Sequence, residues 1–373
     1  MIEKLLLVGQ ADHDNFGDSL IFSMYMRLLN KNQPSLEIYL WKPSDIFIKR
    51  LTDDNLTVRS LSSVSEVKTA GVRLVVLVPG GFLGCPDITD IFWQLKWIKS
   101  SYIQQALLAV EEINVPTMVH GVEIGPFLRP LVSVHVKRFL SLPVVKNIYT
   151  RNTSGKKYAK NKIDIDTEVI PDFILGVSNF YKYPDKESSS FELGLHATGK
   201  MFAGNYLAEK FLDGIGQFIE NKKITSILIF SDQVAPAHHI EFIEKFISKY
   251  SQKNVRVEFK NYAGINEILK NISLCENIIT SKLHVGVCGL SFGKKVVSIT
   301  SHPKLVRFYK DINLQKYSIN FFTSSTSSKI RLIDSVYSVT NDEYFSDMKS
   351  VDNVADIYRD NLNIFLRKNN VTR

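Results

Sequence analysis

A chain of 373 residues with 45% hydrophobic and 23% charged side chains has the make-up of an ordinary globular protein, which excludes collagen, long coiled coil and wholesale disorder. Lys and Arg number 46 against 38 Asp and Glu, a formal charge of +8, and no Arg-rich arm or dense basic block is present. A surplus of that size suits anionic small molecules, the negative inner leaflet of a membrane and nucleic acid alike, and the lack of a basic arm or block argues against the last.

At about 150 residues per domain the length predicts two domains. Cys85, Cys275 and Cys288 stand alone without CxxC spacing, so neither a disulfide framework nor a zinc site is expected. The apolar stretch in MIEKLLLVGQ is too short for a signal peptide or a span. A cytoplasmic location is expected, with peripheral contact at the inner face of the plasma membrane left open.

The elements begin with a strand over 4–8, a polar loop, and a helix over 19–29 carried by Leu20, Met24 and Leu28. Further strands are predicted over 73–78, 117–119 and 147–150, each followed by a glycine-bearing or polar loop, with a helix over 156–160 after the last. Repeated strand and helix units imply a parallel sheet covered on both faces. A polar stretch over 176–190, broken by Pro184, reads as a linker, with the boundary near residue 180.

A second series follows, with strands over 191–195, 224–230, 255–259, 277–280 and 295–299. The segment 351–368 has the spacing of an amphipathic helix through Val354, Ile357, Tyr358, Leu362 and Phe365, suited to packing across the first domain. The expected fold class is α/β, with domains over 1–180 and 181–350 and a terminal helix over 351–373. Two tandem Rossmann-like, doubly wound units resemble the GT-B architecture, in which the active site occupies the interdomain cleft. Ligands of such sheets bind beyond the carboxyl ends of the strands, so the loops there carry the candidate residues.

The first loop reads Asp12-His13-Asp14-Asn15-Phe16-Gly17-Asp18, where Asp18 is the expected helix cap. Pro79-Gly80-Gly81 marks a turn or a close approach of ligand to backbone. His120 to Pro126 is read as a loop after a strand ending at Val119, and sets His120 and Glu123 beside glycines. Either residue positions a sugar hydroxyl, or His120 is satisfied by backbone bonds. Arg151 closes a strand with a guanidinium suited to carboxylate or phosphate, or to an ion pair, and Pro171-Asp172 closes the next.

In the second half Thr280-Ser281-Lys282-Leu283-His284 precedes a small-residue helix. If that helix starts just after His284, Lys282 and His284 share a face and meet an anion at its N-terminus. Ser301-His302-Pro303-Lys304 adds a cation at a neighbouring strand end. The pairs in Asp12-His13-Asp14 and Asp164-Ile165-Asp166 are too short to imply a metal, and His238-His239 lacks further ligands, so no metal is expected. No phosphate-binding P-loop or dinucleotide fingerprint is present.

Together these motifs resemble the polysaccharide pyruvyl transferase family. Asn15-Phe16-Gly17-Asp18 is similar to its N-x-G-D, Gly80-Gly81 to its Gly-rich second loop, and Gly121 to Pro126 to its G-x-x-x-G-P. Arg151, Pro171-Asp172 and Lys282-Leu283-His284 follow in the family's order, the last where the family has R-L-H. Lys282 replaces an Arg, and Asn152 stands where Asp is common.

The resemblance implies a transferase that moves pyruvate from phosphoenolpyruvate to a sugar of a cell-surface polysaccharide, exopolysaccharide or capsule, as a ketal with release of phosphate. It implies no cofactor beyond that donor, and a lipid-linked or nucleotide-linked saccharide as acceptor. His284 is then the general acid, with Asp18, Glu123 and His120 as candidate proton acceptors. Lys282, Leu283, Arg151, Lys304 and Lys200 are candidate donor ligands. Asn15, Gly17, Gly80 and Gly81 are candidate acceptor ligands, which puts the acceptor on the first domain and the donor on the second. A nucleotide-sugar glycosyltransferase and a non-catalytic scaffold of polysaccharide assembly are the alternatives. The absence of any carboxylate between Lys282 and Gly293 counts against the first.

Overall fold

A computed structural model describes residues 3–84, 101–126, 130–183, 190–197, 206–300, 302–348 and 353–369. Lys200, Cys85 and residues 184–189 of the predicted linker lie outside the described residues. The chain forms two compact units, one of residues 1–176 with 351–373 and one of residues 177–350.

In the first unit β1 (Lys4–Val8), β2 (Glu37–Trp41), β3 (Ser60–Leu61), β4 (Leu74–Leu77), β5 (Gly80–Leu83), β6 (Thr117–Ile124), β7 (Val145–Thr150) and β8 (Glu168–Val169) form one parallel sheet. Its order is β3-β2-β1-β4-β6-β7-β8, with β5 paired to β6 off that path. Leu5, Leu6, Leu7 and Val8 are all buried, as a central parallel strand with both faces covered requires.

The second unit has β9 (Phe191–His196), β10 (Ser226–Phe230), β11 (Arg256–Lys260), β12 (Cys275–Thr280), β13 (Lys295–Thr300) and β14 (Ser318–Asn320), in the order β11-β10-β9-β12-β13-β14. All of its strand pairs are parallel. This is the doubly wound order. The chain leaves β9 toward β10 on one side and returns at β12 on the other, which opens a crevice at the carboxyl ends of β9 and β12.

Several sequence expectations are corrected in detail. The first helix runs Phe16–Asn32, and Asn15 rather than Asp18 caps it, accepting from the Gly17 amide at 2.9 Å. Asp18 lies in the first turn, where a carboxylate favours the positive end of the helix. Strand β6 does not end at Val119 but continues to Ile124, through a register shift between His120 and Val122. Gly121 absorbs that irregularity with φ of +75°. Gly80 and Gly81 open strand β5 rather than a turn.

The terminal helix Val354–Lys368 belongs to the first unit and buries Val354, Tyr358, Leu362, Phe365 and Leu366. Among the described residues no helix is long and apolar enough to cross a membrane.

Candidate functional site

The crevice of the second unit is built from four strand ends. β9 ends on His196 and β12 on Thr280, and the register of these neighbours pairs Ile279 with Leu195. The Thr280 Oγ1 and His196 Nδ1 are therefore 3.1 Å apart. Asp232, two residues beyond β10, turns inward: its Oδ1 lies 3.2 Å from His196 Nε2, and its Oδ2 lies 3.3 Å from the Lys282 ammonium. The His196 contact is close but short of hydrogen-bond alignment.

Burial pushes the Asp232 carboxyl up, yet His196 and then Lys282 outweigh it, and the group ends below the ordinary carboxylate range. The Lys282 amide also donates to Thr280 Oγ1 at 3.0 Å. The Thr280 hydroxyl also reaches the Lys282 carbonyl oxygen, at 3.5 Å.

Lys282 has extended backbone and stands immediately before the helix Leu283–Ser291. The helix starts two residues earlier than the sequence suggests, so His284 falls in its first turn and Leu283 is buried in it. No side chain caps that end and no acidic residue lies in its first turn. The Lys282 side chain is 41% exposed, whereas His196 and Asp232 are buried, so of the three the ammonium is the one open to a ligand. After β13, His302 caps the helix Pro303–Asp311 by accepting from the Lys304 amide at 3.2 Å. That sets Lys304 in the first turn beside the neighbouring strand end.

In the first unit the predicted residues divide. Asp14 takes both ends of the Arg50 guanidinium, at 3.1 and 2.8 Å. Asp12 holds His13 at 2.8 Å, which raises the imidazole pKa against the effect of burial. Arg151, read as an anion ligand, is buried against two carboxylates, Glu123 at 2.6 Å and Asp172 at 3.5 Å. The trio carries a net negative charge when ionised. Gly81 lies over it, its β position 3.4 Å from Arg151 Nη2.

His120 is fully buried, with Nδ1 2.7 Å from the Tyr25 hydroxyl and its ring among Tyr25, Tyr149 and Tyr358. Burial alone pushes it down to about 3. Asn152 caps the helix Thr153–Tyr158 through the Gly155 amide. Asp and Asn serve that role alike, which accounts for the departure from the family's Asp without touching a ligand.

Sequence reasoning missed His196 and Asp232. The signal was available, because both follow predicted strands at their carboxyl ends, where ligands of such sheets gather. Among the described residues no group of three or more His, Cys, Asp or Glu side chains is placed to hold a metal ion.

The model of the family described as polysaccharide pyruvyl transferase matches residues 15–303, and the chain belongs to that family. No curated protein matches it. Among solved structures, the S. aureus MnaA–UDP co-structure is similar over 100% of this chain and 98% of that one, with a TM-score of 0.66 and 10% identity. UDP-GlcNAc 2-epimerase from Neisseria meningitidis, bound to UDP-GlcNAc, matches with a TM-score of 0.62 and 10% identity over 98% of this chain and 100% of that one. Anabaena HepE in complex with UDP and glucose matches at 0.55 and 10% identity, over 98% and 100% of the two chains. Likeness at such identity is likeness of fold: the protein has the two-unit GT-B architecture of parallel sheets and helices.

Proposed function

We propose that the protein transfers pyruvate from phosphoenolpyruvate to two hydroxyls of a sugar in a cell-surface polysaccharide or its lipid-linked precursor. The observation that carries this reading is Lys282, open on one side, placed with the first turn of an uncapped helix at the switch point of the second unit. A cation beside a helix N-terminus suits a donor bearing phosphate and carboxylate. Family membership supplies the reaction class.

In this reading Lys282 and Lys304 meet the donor's anionic groups. His284 gives a proton to the methylene carbon, so that the donor's C2 becomes cation-like and the first sugar hydroxyl adds to it. The first hydroxyl's proton passes to a base, phosphate leaves with the C–O bond electrons, and the second hydroxyl closes the ketal as its proton passes to the departed phosphate. Asp18 is the proposed proton acceptor, and Asn15, Gly17, Gly80 and Gly81 are the proposed acceptor ligands. Arg151 ties down Glu123 and Asp172 instead of binding donor. His120, buried and neutral, serves packing. A basic protein acting on a lipid-linked sugar would visit the inner leaflet electrostatically.

Thermal unfolding with phosphoenolpyruvate, and in parallel with UDP-sugars, tests the reading. Donor at about a hundred times its Kd adds roughly 2.7 kcal/mol, a shift of a few degrees. Stabilisation by phosphoenolpyruvate that Lys282→Ala abolishes is the expected result, accompanied by sugar-dependent phosphate release. Stabilisation by a UDP-sugar alone replaces it with glycosyl transfer, and silence from both leaves an enzyme that binds its acceptor first or a scaffold.

A further inference from the structure

Four residues of the second unit close a ring that begins and ends on Lys282. Its amide donates to Thr280 Oγ1 at 3.0 Å, Thr280 Oγ1 meets His196 Nδ1 at 3.1 Å, His196 Nε2 meets Asp232 Oδ1 at 3.2 Å, and Asp232 Oδ2 returns to the Lys282 ammonium at 3.3 Å. The backbone amide of Lys282 is thus anchored at Thr280 and the tip of its side chain at Asp232, with His196 between the two. We propose that Asp232, braced by His196 and Thr280, is a positioning residue that presets Lys282 for the anionic donor.

The inference rests on the function proposed above and adds to it residues that no motif singles out. A lysine ammonium on a four-carbon stem has many rotamers and lacks the planar fork by which an arginine orients itself on an oxyanion. Where this chain carries Lys, the ring supplies the orientation that the fork would provide. A carboxylate beside an anion site repels the ligand unless its charge is engaged, as Asp232 is by Lys282 and His196.

The test is a cycle of Asp232→Asn, Lys282→Arg and the double variant, read by steady-state kinetics with phosphoenolpyruvate. Loss of a charge-assisted tether predicts that Asp232→Asn raises the donor KM about tenfold while kcat changes far less. Lys282→Arg, with its own fork, then brings the KM of the double variant back to that of Lys282→Arg alone. Thr280→Val, isosteric within the strand, serves if Asp232→Asn fails to fold, and predicts a smaller KM rise with the same rescue.

An unchanged or lowered KM in Asp232→Asn overturns the proposal, because the carboxylate then acts only as a repelling charge. A loss of activity that Lys282→Arg does not rescue, accompanied by a fall in Tm, also overturns it, because Asp232 then serves the fold. Wild-type protein that neither binds nor turns over phosphoenolpyruvate removes the functional reading and this inference together. Turnover with Asp232→Asn kinetics unchanged removes this inference alone.

Discussion

The Tyr358 hydroxyl rests against the α-carbon of Gly121 and donates to the Pro171 carbonyl at 3.1 Å. One contact thereby joins the terminal helix to the irregular point of β6 and to the segment that carries Asp172. A β-carbon at Gly121 would collide with that hydroxyl, on a backbone whose φ of +75° already disfavours any side chain. The G-x-x-x-G-P segment is in this respect a packing device, since Gly125, at φ of +64°, likewise accommodates the Tyr158 ring.

Gly121→Ala is therefore expected to cost about 3 kcal/mol or more, the sum of left-handed strain and overpacking. Gly71→Ala is the control, because its φ is +72° with nothing within 4 Å, and strain of about 1 to 2 kcal/mol is all it should show. Tyr358→Phe removes the closest clash, so the double variant Gly121→Ala/Tyr358→Phe should lose less than the sum of the singles. Urea unfolding of the four proteins decides it, and strict additivity would mean that Gly121 and Tyr358 do not share the contact.

His120 predicts a pH dependence of stability. Its folded pKa is pushed down to about 3 from 6.5 by burial, so the folded protein keeps it neutral while the unfolded chain takes up a proton below about 6.5. The unfolded state then binds more protons, and stability falls as pH drops, by up to about 1.4 kcal/mol per pH unit for this one group. Between pH 6.5 and 5 the expected loss is about 2 kcal/mol. His13, raised by Asp12, contributes stability that is present below 6.5 and lost above it, outside this window. Asp232, lowered, loses its contribution only below about 4. His239, lowered by burial and then by His238, adds to the slope in wild type and variant alike. Denaturant unfolding of wild type and His120→Gln at the two pH values should show a flatter dependence in the variant; equal slopes would mean the ring titrates in the folded protein.

Arg151 predicts a large structural effect. Arg151→Met leaves Glu123 and Asp172 buried without their shared counter-ion, and breaking such a group from one side costs about 3 to 5 kcal/mol. Adding Glu123→Gln should recover part of that loss. By contrast Asn152→Asp keeps the cap and should change stability by less than about 0.5 kcal/mol, while Asn152→Ala should cost about 1. Unfolding midpoints check all four. A harmless Arg151→Met accompanied by loss of donor binding would return Arg151 to the ligand set.

What the sequence made legible was whatever depends on local pattern. Buried parallel strands such as 4–8 and 277–280 read directly from runs of branched residues, and so did the succession of strands that implies two doubly wound sheets. Short, half-exposed strands were not legible: β3 has two residues, and β14 has three, all half-buried. The candidate site was legible only at residues with motif neighbours, chiefly Lys282 and His284. For His120 and Arg151 the sequence leaves both readings open, because whether a strand-end side chain faces a ligand or a buried partner depends on residues far away in the chain. Tyr358 lies 238 positions from His120 in sequence and within 4.4 Å by ring centroids. Asp232 was silent for the same reason, its partners being 36 and 50 positions distant.

The roles assigned to Lys282 and His284 separate in kinetics. A cation that binds the donor in ground and transition states alike should, when lost, act mainly on KM, so Lys282→Ala is expected to raise the phosphoenolpyruvate KM by about tenfold or more. A general acid acts on the transition state, so His284→Ala should lower kcat by about 10² to 10⁴ with donor binding retained. In deuterated water the wild-type product should carry one deuterium in the ketal methyl group, since the proton delivered to the methylene carbon comes from an exchangeable acid. If His284→Ala instead raises KM and keeps kcat, the imidazole binds the donor and the proton comes from another group. If the methyl group acquires no deuterium, the proton does not come from solvent-equilibrated acid at all, and protonation by His284 fails with it.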